Sequence, residues 1–286
     1  MRDDRASDTA TYVAMGRALC HARRDVRNFD DPFALGFLDE DCRVVVERRI
    51  GRAWPRTRRE AWLGTVAETT SRLVGTRTVE IDDGLRAMPP GFQLVMVGAG
   101  LDARAYRLPG LAGSAVFELD HPASQAIKRE RTAGLASPAR EHHHVPIDFA
   151  RDSLPVVLER AGHRATVPTA WIFEGVISYL TRPQVDAALA AMAARSVEGS
   201  RLLATYNEQT LVRRLFGSVT ARSNEPQRAW FSREEMRALL ARHRFVVATD
   251  RDGEERARRH RVHPTRFDGV GVRFHHVVVA DARGFG

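Results

Sequence analysis

Apolar positions along the chain fall into two textures. As far as about residue 88 they recur at helical spacing, with Ala10, Val13, Ala14, Arg17, Ala18 and Ala22 forming one mixed small-residue face. Asp30, Asp31 and Pro32 predict a helix stop or turn, and Pro89, Pro90 and Gly91 close this section. Beyond residue 91 short apolar runs alternate with helical stretches, the pattern of a parallel sheet covered by helices. Candidate strands are Gln93 to Val97, Ala115 to Leu119, Glu141 to Pro146, Thr169 to Phe173, Arg201 to Tyr206, Phe245 to Thr249 and Arg273 to Val279. Candidate helices are Pro122 to Ala136, Pro183 to Ala194 and Arg233 to Ala241, the last opened by a capping box of Ser232 and Glu235. The last strand follows a loop rather than a helix, so an antiparallel placement is expected. The fold class expected is α/β, doubly wound.

Composition supports a packed interior: 43% of 286 residues are hydrophobic and 28% charged. One domain spanning 1–286 is expected, with 1–88 a helical cap on an α/β core at 89–286. The net charge is +8, carried by arginine, with Lys128 the only lysine. The densest basic run, Arg256 to Arg261, follows Asp250, Asp252, Glu254 and Glu255. It therefore predicts a solvated loop of mixed charge rather than a nucleic-acid track. Cys20 and Cys42 suffice for neither a disulfide framework nor a structural zinc site, which suits a reducing compartment. Acids interrupt the first ten residues and no run approaches 18 apolar residues. A cytoplasmic location is expected, with neither nucleic acid nor membrane as partner.

The chemistry centres on LVMVGAGLDARAYRL, residues 94–108. An apolar strand runs into Gly98, Ala99 and Gly100, where missing side chains let a ligand lie on backbone amides at the sheet's carboxyl edge. Gly98, Gly100 and Ala103 also satisfy the dinucleotide pattern, and Asp120, twenty residues past Gly100, suits the ribose hydroxyls of either cofactor class. Here NAD and S-adenosylmethionine both remain open. Asp148 and Glu174 follow two later strands, so three successive strands deliver a carboxylate toward one elongated ligand. Asp148 is placed to accept from an adenine amino group, with Phe149 covering the ring. His121, beside Asp120, is placed with the cofactor residues. No metal is expected at His142, His143 and His144, because alternate side chains of a strand face opposite ways.

The segments GAGLDARAYRL, FELDHPASQAIKRER, VPIDFARD and WIFEGVISYLTRPQV, with TATYVAMGRA, FDDPFA and TRTVEIDD before them, resemble the successive motifs of the leucine carboxyl methyltransferase family, particularly its bacterial branch linked to specialised metabolism. FELD stands where EVD is commoner in that family, and Phe149 where leucine is usual. The resemblance implies a Rossmann-like class I fold with a seven-stranded, mostly parallel sheet, and an insertion at about 207–231 closing the acceptor pocket. It implies S-adenosylmethionine as cofactor, with Arg77 on the methionine carboxylate, Gly98 and Gly100 beneath the cofactor, Asp120 on ribose, Asp148 and Phe149 on adenine, and Glu174 beside the methionine part. The acceptor is then a small molecule, with O-methylation of a carboxylate or hydroxyl the leading reading. The alternative within the family is C- or N-methylation of an aromatic compound, such as the indole of a tryptophan-derived cyclodipeptide. Rivals outside it are an NAD-dependent oxidoreductase and a non-catalytic nucleotide-binding regulator. Acceptor-wall candidates are Tyr12, Arg17, Tyr179, Tyr206 and Trp230, with Arg213, Arg214 and Phe216 from the insertion. Monomer and homodimer stay equally open.

Overall fold

The computed structural model describes residues 8–149, 151–208, 227–262 and 272–284. The expected insertion lies mostly outside them, as do Arg213, Arg214 and Phe216. Three helices come first: α1 (Asp8–Arg23), α2 (Glu40–Ile50) and α3 (Arg58–Arg86). Asp39 caps α2 by accepting from the Cys42 amide, and Thr57 caps α3 by accepting from that of Glu60. Helices α1 and α3 approach closely; a Cβ on Gly16 would sit 2.7 Å from Thr70 Oγ1.

The sheet follows as β1 (Gln93–Val97), β2 (Ala115–Asp120), β3 (Glu141–Pro146), β4 (Thr169–Phe173), β5 (Arg201–Asn207), β6 (Phe245–Arg251) and β7 (His275–Ala282). Between them run α4 (Arg104–Arg107), α5 (Pro122–Arg131), α6 (Leu154–Arg160), α7 (Arg182–Ala194), α8 (Arg233–Arg242) and α9 (Gly253–Arg259). The strand order is β3-β2-β1-β4-β5-β7-β6. The first five strands pair in parallel, and β7 lies antiparallel to both β5 and β6, as expected for a strand reached through a loop.

Strands β1 and β4 are buried at every position, which is why they read as unbroken apolar runs. Alternation splits them between two cores. Leu94, Met96 and Ile172 pack with Met15, Leu19, Phe37 and Ile81 of the N-terminal section. Val95, Val97 and Trp171 pack with Leu158, Leu189 and Leu240 of α6, α7 and α8 on the other face. The chain reverses direction across the sheet between β1, which leads outward to β2 and β3, and β4, which leads to β5. At that switch point the carboxyl ends of neighbouring strands diverge and leave a crevice.

One expectation fails here. The basic run at 256–261 is not a mixed-charge loop: Asp252 and Glu255 form a capping box that starts α9, and Arg256 is fully buried. Its Nη1 donates to the carbonyls of Arg251 and His275, at 2.8 and 2.7 Å.

A candidate cofactor cavity at the carboxyl edge

A cavity of about 570 Å³ opens where β1, β2, β3 and β4 end, closed on one side by α1 and α3. Each strand sends its next residues into the wall. After β1 come Gly98, Ala99 and Gly100; at the end of β2, Asp120 and His121; after β3, Asp148 and Phe149; after β4, Glu174. Arg77 reaches the same wall from α3. All nine residues expected at the cofactor therefore line one space, although they are spread over almost a hundred positions of sequence.

Gly98 has φ +77°, and a Cβ there would lie 2.5 Å from Val176 Cγ2, so glycine is required by conformation and by space. The turn lets the Gly100 amide donate to Asp120 Oδ2 at 2.5 Å, while the His121 amide donates to Oδ1 at 2.7 Å. Burial raises the Asp120 carboxyl above its usual range against the pull of those two amides. Each oxygen keeps a lone pair for a further donor, the geometry a vicinal diol demands. The Asp148 amide donates to Asp152 Oδ2 at 2.8 Å, and Phe149 is left partly exposed at the rim.

The floor beyond Glu174 is a buried charge network. Glu174 takes Arg77 Nε at 2.7 Å, Arg104 Nη1 at 2.7 Å and Arg17 Nη2 at 3.2 Å. Asp102 pairs with Arg104 and, at 3.4 Å, with Arg17. Asp82 holds Arg104 Nε and Arg107 Nη1, both at 2.7 Å. Burial alone would raise the Glu174 carboxyl, but Arg77, Arg104 and Arg17 outweigh it and hold it at about 2. Asp102 is likewise lowered, Arg104 and Arg17 overcoming its burial. Both are therefore ionised at neutral pH. Of this network only Arg17, Arg77 and Glu174 are expected from the sequence. Asp102, Arg104 and Asp82 lay inside the quoted segments GAGLDARAYRL and TRTVEIDD, and the signal was charged residues in runs otherwise destined for burial.

The acceptor-wall candidates divide. Arg17 and Tyr179 line the cavity, and Tyr179 shares a 3.2 Å hydrogen bond with Thr9 of α1. Tyr12, Tyr206 and Trp230 do not line it, and the three corrections have separate causes. Tyr12 turns outward and meets the Trp62 ring edge-on at 5.6 Å. Tyr206 is buried in the sheet, stacked on His276 at 4.6 Å and donating to Asp250 Oδ2 at 2.6 Å. Trp230 lies in the stretch leading to α8, its carbonyl accepting from Arg182 at 2.6 Å. Lining residues not anticipated include Ala10, Val13, Val176 and Arg228. The Arg228 amide donates to the Ser178 carbonyl at 2.6 Å, which anchors that residue beside Tyr179.

The histidine run divides by face. His143 stacks on Phe117 at 4.9 Å, while His142 and His144 share the other face with Glu118, their ligating atoms within 4.8 Å of one another. Alternation acts as expected, but the cross-strand carboxylate brings two imidazoles to one acid, a grouping the run alone does not show. Lys128 Nζ lies 2.7 Å from Glu118 Oε2 and neutralises it.

The family model for leucine carboxyl methyltransferase matches residues 10–193. A protein of Mycolicibacterium gilvum (strain PYR-GCK), provisionally named as an S-adenosyl-L-methionine-dependent methyltransferase, is 37% identical over 206 residues, 69% of this chain and 65% of its own length. A protein of the same provisional name from Mycobacterium sp. (strain JLS) is 37% identical over 203 residues, 70% of this chain. In both the match spans 65% of the relative, a little under two thirds. The crystal structure of a provisionally assigned methyltransferase from Thermobifida fusca YX covers 99% of this chain and 97% of its own, with TM-score 0.57 and 16% identity. That last likeness is one of fold.

Proposed function

The chain belongs to the leucine carboxyl methyltransferase family, and on that premise we propose that it is an S-adenosylmethionine-dependent methyltransferase that methylates an oxygen of a small anionic acceptor. The observation that carries the cofactor is the charge of the cavity wall. Its described lining residues include three arginines, Arg17, Arg77 and Arg228, and four carboxylates, Asp102, Asp120, Asp148 and Glu174. S-adenosylmethionine, with a sulfonium, an ammonium and one carboxylate, carries one net positive charge and complements that wall. A dinucleotide pyrophosphate would meet Asp102 just past the glycine turn, where it needs unopposed donors.

The volume also lies within the range of small-molecule sites. Asp120 would accept from both ribose hydroxyls and Asp148 from the adenine amino group, with Phe149 over the ring. Arg77 and Arg17 would meet the methionine carboxylate, while Glu174 and Asp102 fix both arginines in place. The bound cofactor supplies an electrophilic methyl group on sulfur. The chain's own part is to align donor and acceptor and to exclude water, which Ala10, Val13, Val176 and Tyr179 do from the acceptor side.

Arg228 narrows the acceptor. Arg17 and Arg77 are each held by an acid, whereas the exposed Arg228 guanidinium has no acidic partner among the described residues. A cation left unmatched at an otherwise apolar wall suits a carboxylate-bearing acceptor. A carboxylate is ionised at neutral pH and needs no base to become nucleophilic. Methyl-labelled cofactor should therefore transfer label to small carboxylic acids in a base-labile ester. Arg228→Ala should raise the acceptor KM about tenfold or more with kcat and cofactor affinity retained. Transfer to neutral phenols or indoles with equal efficiency in both proteins would refute the anionic acceptor.

A further inference from the structure

The corner where α2 turns into α3 exposes more apolar surface than its packing explains. Trp54 is 88% exposed, and Val44 and Ile50 of α2 are exposed as well, as is half of Trp62 on the flank of α3 that faces α1. This connector is not loose chain. The Ala53 amide donates to the Arg48 carbonyl at 2.8 Å, Arg48 returns a bond to the Trp54 carbonyl, and the Arg56 amide donates to Glu60 Oε2 at 2.7 Å. The backbone is held while the indole projects, so the exposed tryptophan is a built feature of the corner.

The charges around it are unbalanced in one direction. Between residues 40 and 62 there are seven arginines against four acids. Arg43, Arg48, Arg49 and Arg59 pair with Glu40, Glu60, Glu68 and Asp41. Arg52 and Arg58, which flank Trp54, form no ion pair with an acid among the described residues, and Arg56 lies near Glu60 without an ion pair to it. Glu47, exposed on α2, is the one acid of the stretch without an ion-pair partner among the described residues. Tryptophan and short aliphatics ringed by unpaired arginine match the boundary of an anionic bilayer, where indole rings settle at headgroup depth and guanidinium groups meet lipid phosphates.

We propose that this corner docks the protein on an anionic membrane surface. A second copy of the chain is a poor occupant, because a two-fold contact would set these arginines against themselves. Nucleic acid would use the arginines but leave Ile50 and Val44 without a partner. Docking here has a consequence for the cavity. Trp62 packs on Tyr12 of α1, the helix whose Ala10 and Val13 line the cavity, so a docked corner would bear on one of the helices that wall it. No described helix is long and apolar enough to cross a membrane, and lying on the surface is a separate property. The proposal revises the expectation of no membrane partner and does not depend on the acceptor's identity.

The test is flotation of the full chain with vesicles of phosphatidylcholine alone and of phosphatidylcholine with phosphatidylglycerol. Binding is expected only to the anionic vesicles, at least tenfold weaker for Trp54→Ser and for the triple variant Arg52→Glu, Arg56→Glu, Arg58→Glu, with S-adenosylhomocysteine affinity unchanged in both. A blue shift of tryptophan emission on binding, lost in Trp54→Ser, locates the contact. Three results would each overturn the proposal: no binding of the wild type to anionic vesicles, equal binding by the variants, or a Trp54-dependent dimer or oligonucleotide complex tighter than the vesicle complex.

Discussion

His163 shows at the residue scale how burial writes a pH dependence into the fold. Its Nδ1 accepts from Arg195 Nε at 3.1 Å, which leaves Nε2 to donate to Thr169 Oγ1 at 3.0 Å. Burial and then the neighbouring Arg195 charge push its pKa down to about 4. In the unfolded chain the ring takes its proton near 6.5. Between those values the unfolded state binds more protons, so stability must fall as pH is lowered from about 6.5 to about 4, by on the order of 3 kcal/mol. Urea midpoints across that range should show the slope, and His163→Gln should flatten it; an unchanged slope would assign the loss to other groups. Nothing in the sequence announced His163, an isolated histidine in a loop. The cofactor wall was more legible, because glycines and acids at strand ends have a stereotyped place in doubly wound sheets. Tyr12, Tyr206 and Trp230 were not, since aromatic side chains serve a core, a surface and a binding wall equally well, and residue type does not say which.

At the scale of elements, the turn between β1 and α4 is the most constrained piece of the site. An alanine at Gly98 meets two penalties, a left-handed φ and a contact at 2.5 Å with Val176. Gly98→Ala should cost about 1–3 kcal/mol of stability and weaken binding of S-adenosylhomocysteine, read by urea titration and calorimetry. Adding Val176→Ala should recover only the steric share; full recovery would mean that φ is not strained. The five parallel strands were legible nearly to the residue, whereas the last strand, expected at Arg273 to Val279, runs His275–Ala282. Buried parallel strands give contiguous apolar runs, and β3, at the sheet edge, is bounded by clear turn residues. Helix α9 was misread because its buried face carries Arg256, satisfied by carbonyls from distant strands, and hydrophobic periodicity is blind to a buried guanidinium.

For the molecule as a whole, a ligand seated among four strand ends and two N-terminal helices ties the N-terminal section to the sheet. Ligand bound only by the native state stabilises it by mass action, about 2.7 kcal/mol at a hundredfold excess over Kd. S-adenosylhomocysteine should therefore raise the melting temperature by several degrees and NAD should leave it unchanged; the reverse order would remove the cofactor assignment. The sheet's topology has a further consequence, felt during synthesis. Strand β7 lies between β5 and β6, yet β6 ends at Arg251 and β7 begins only at His275. At about 5–20 residues per second, a ribosome takes roughly one to five seconds to cover that interval. Until β7 is in place, β5 keeps an open edge and β6 has no neighbour in the sheet, two templates for wrong pairing once they are free of the ribosome. The arrival of one late strand closes both at once, so the interval is when a chaperone would matter most.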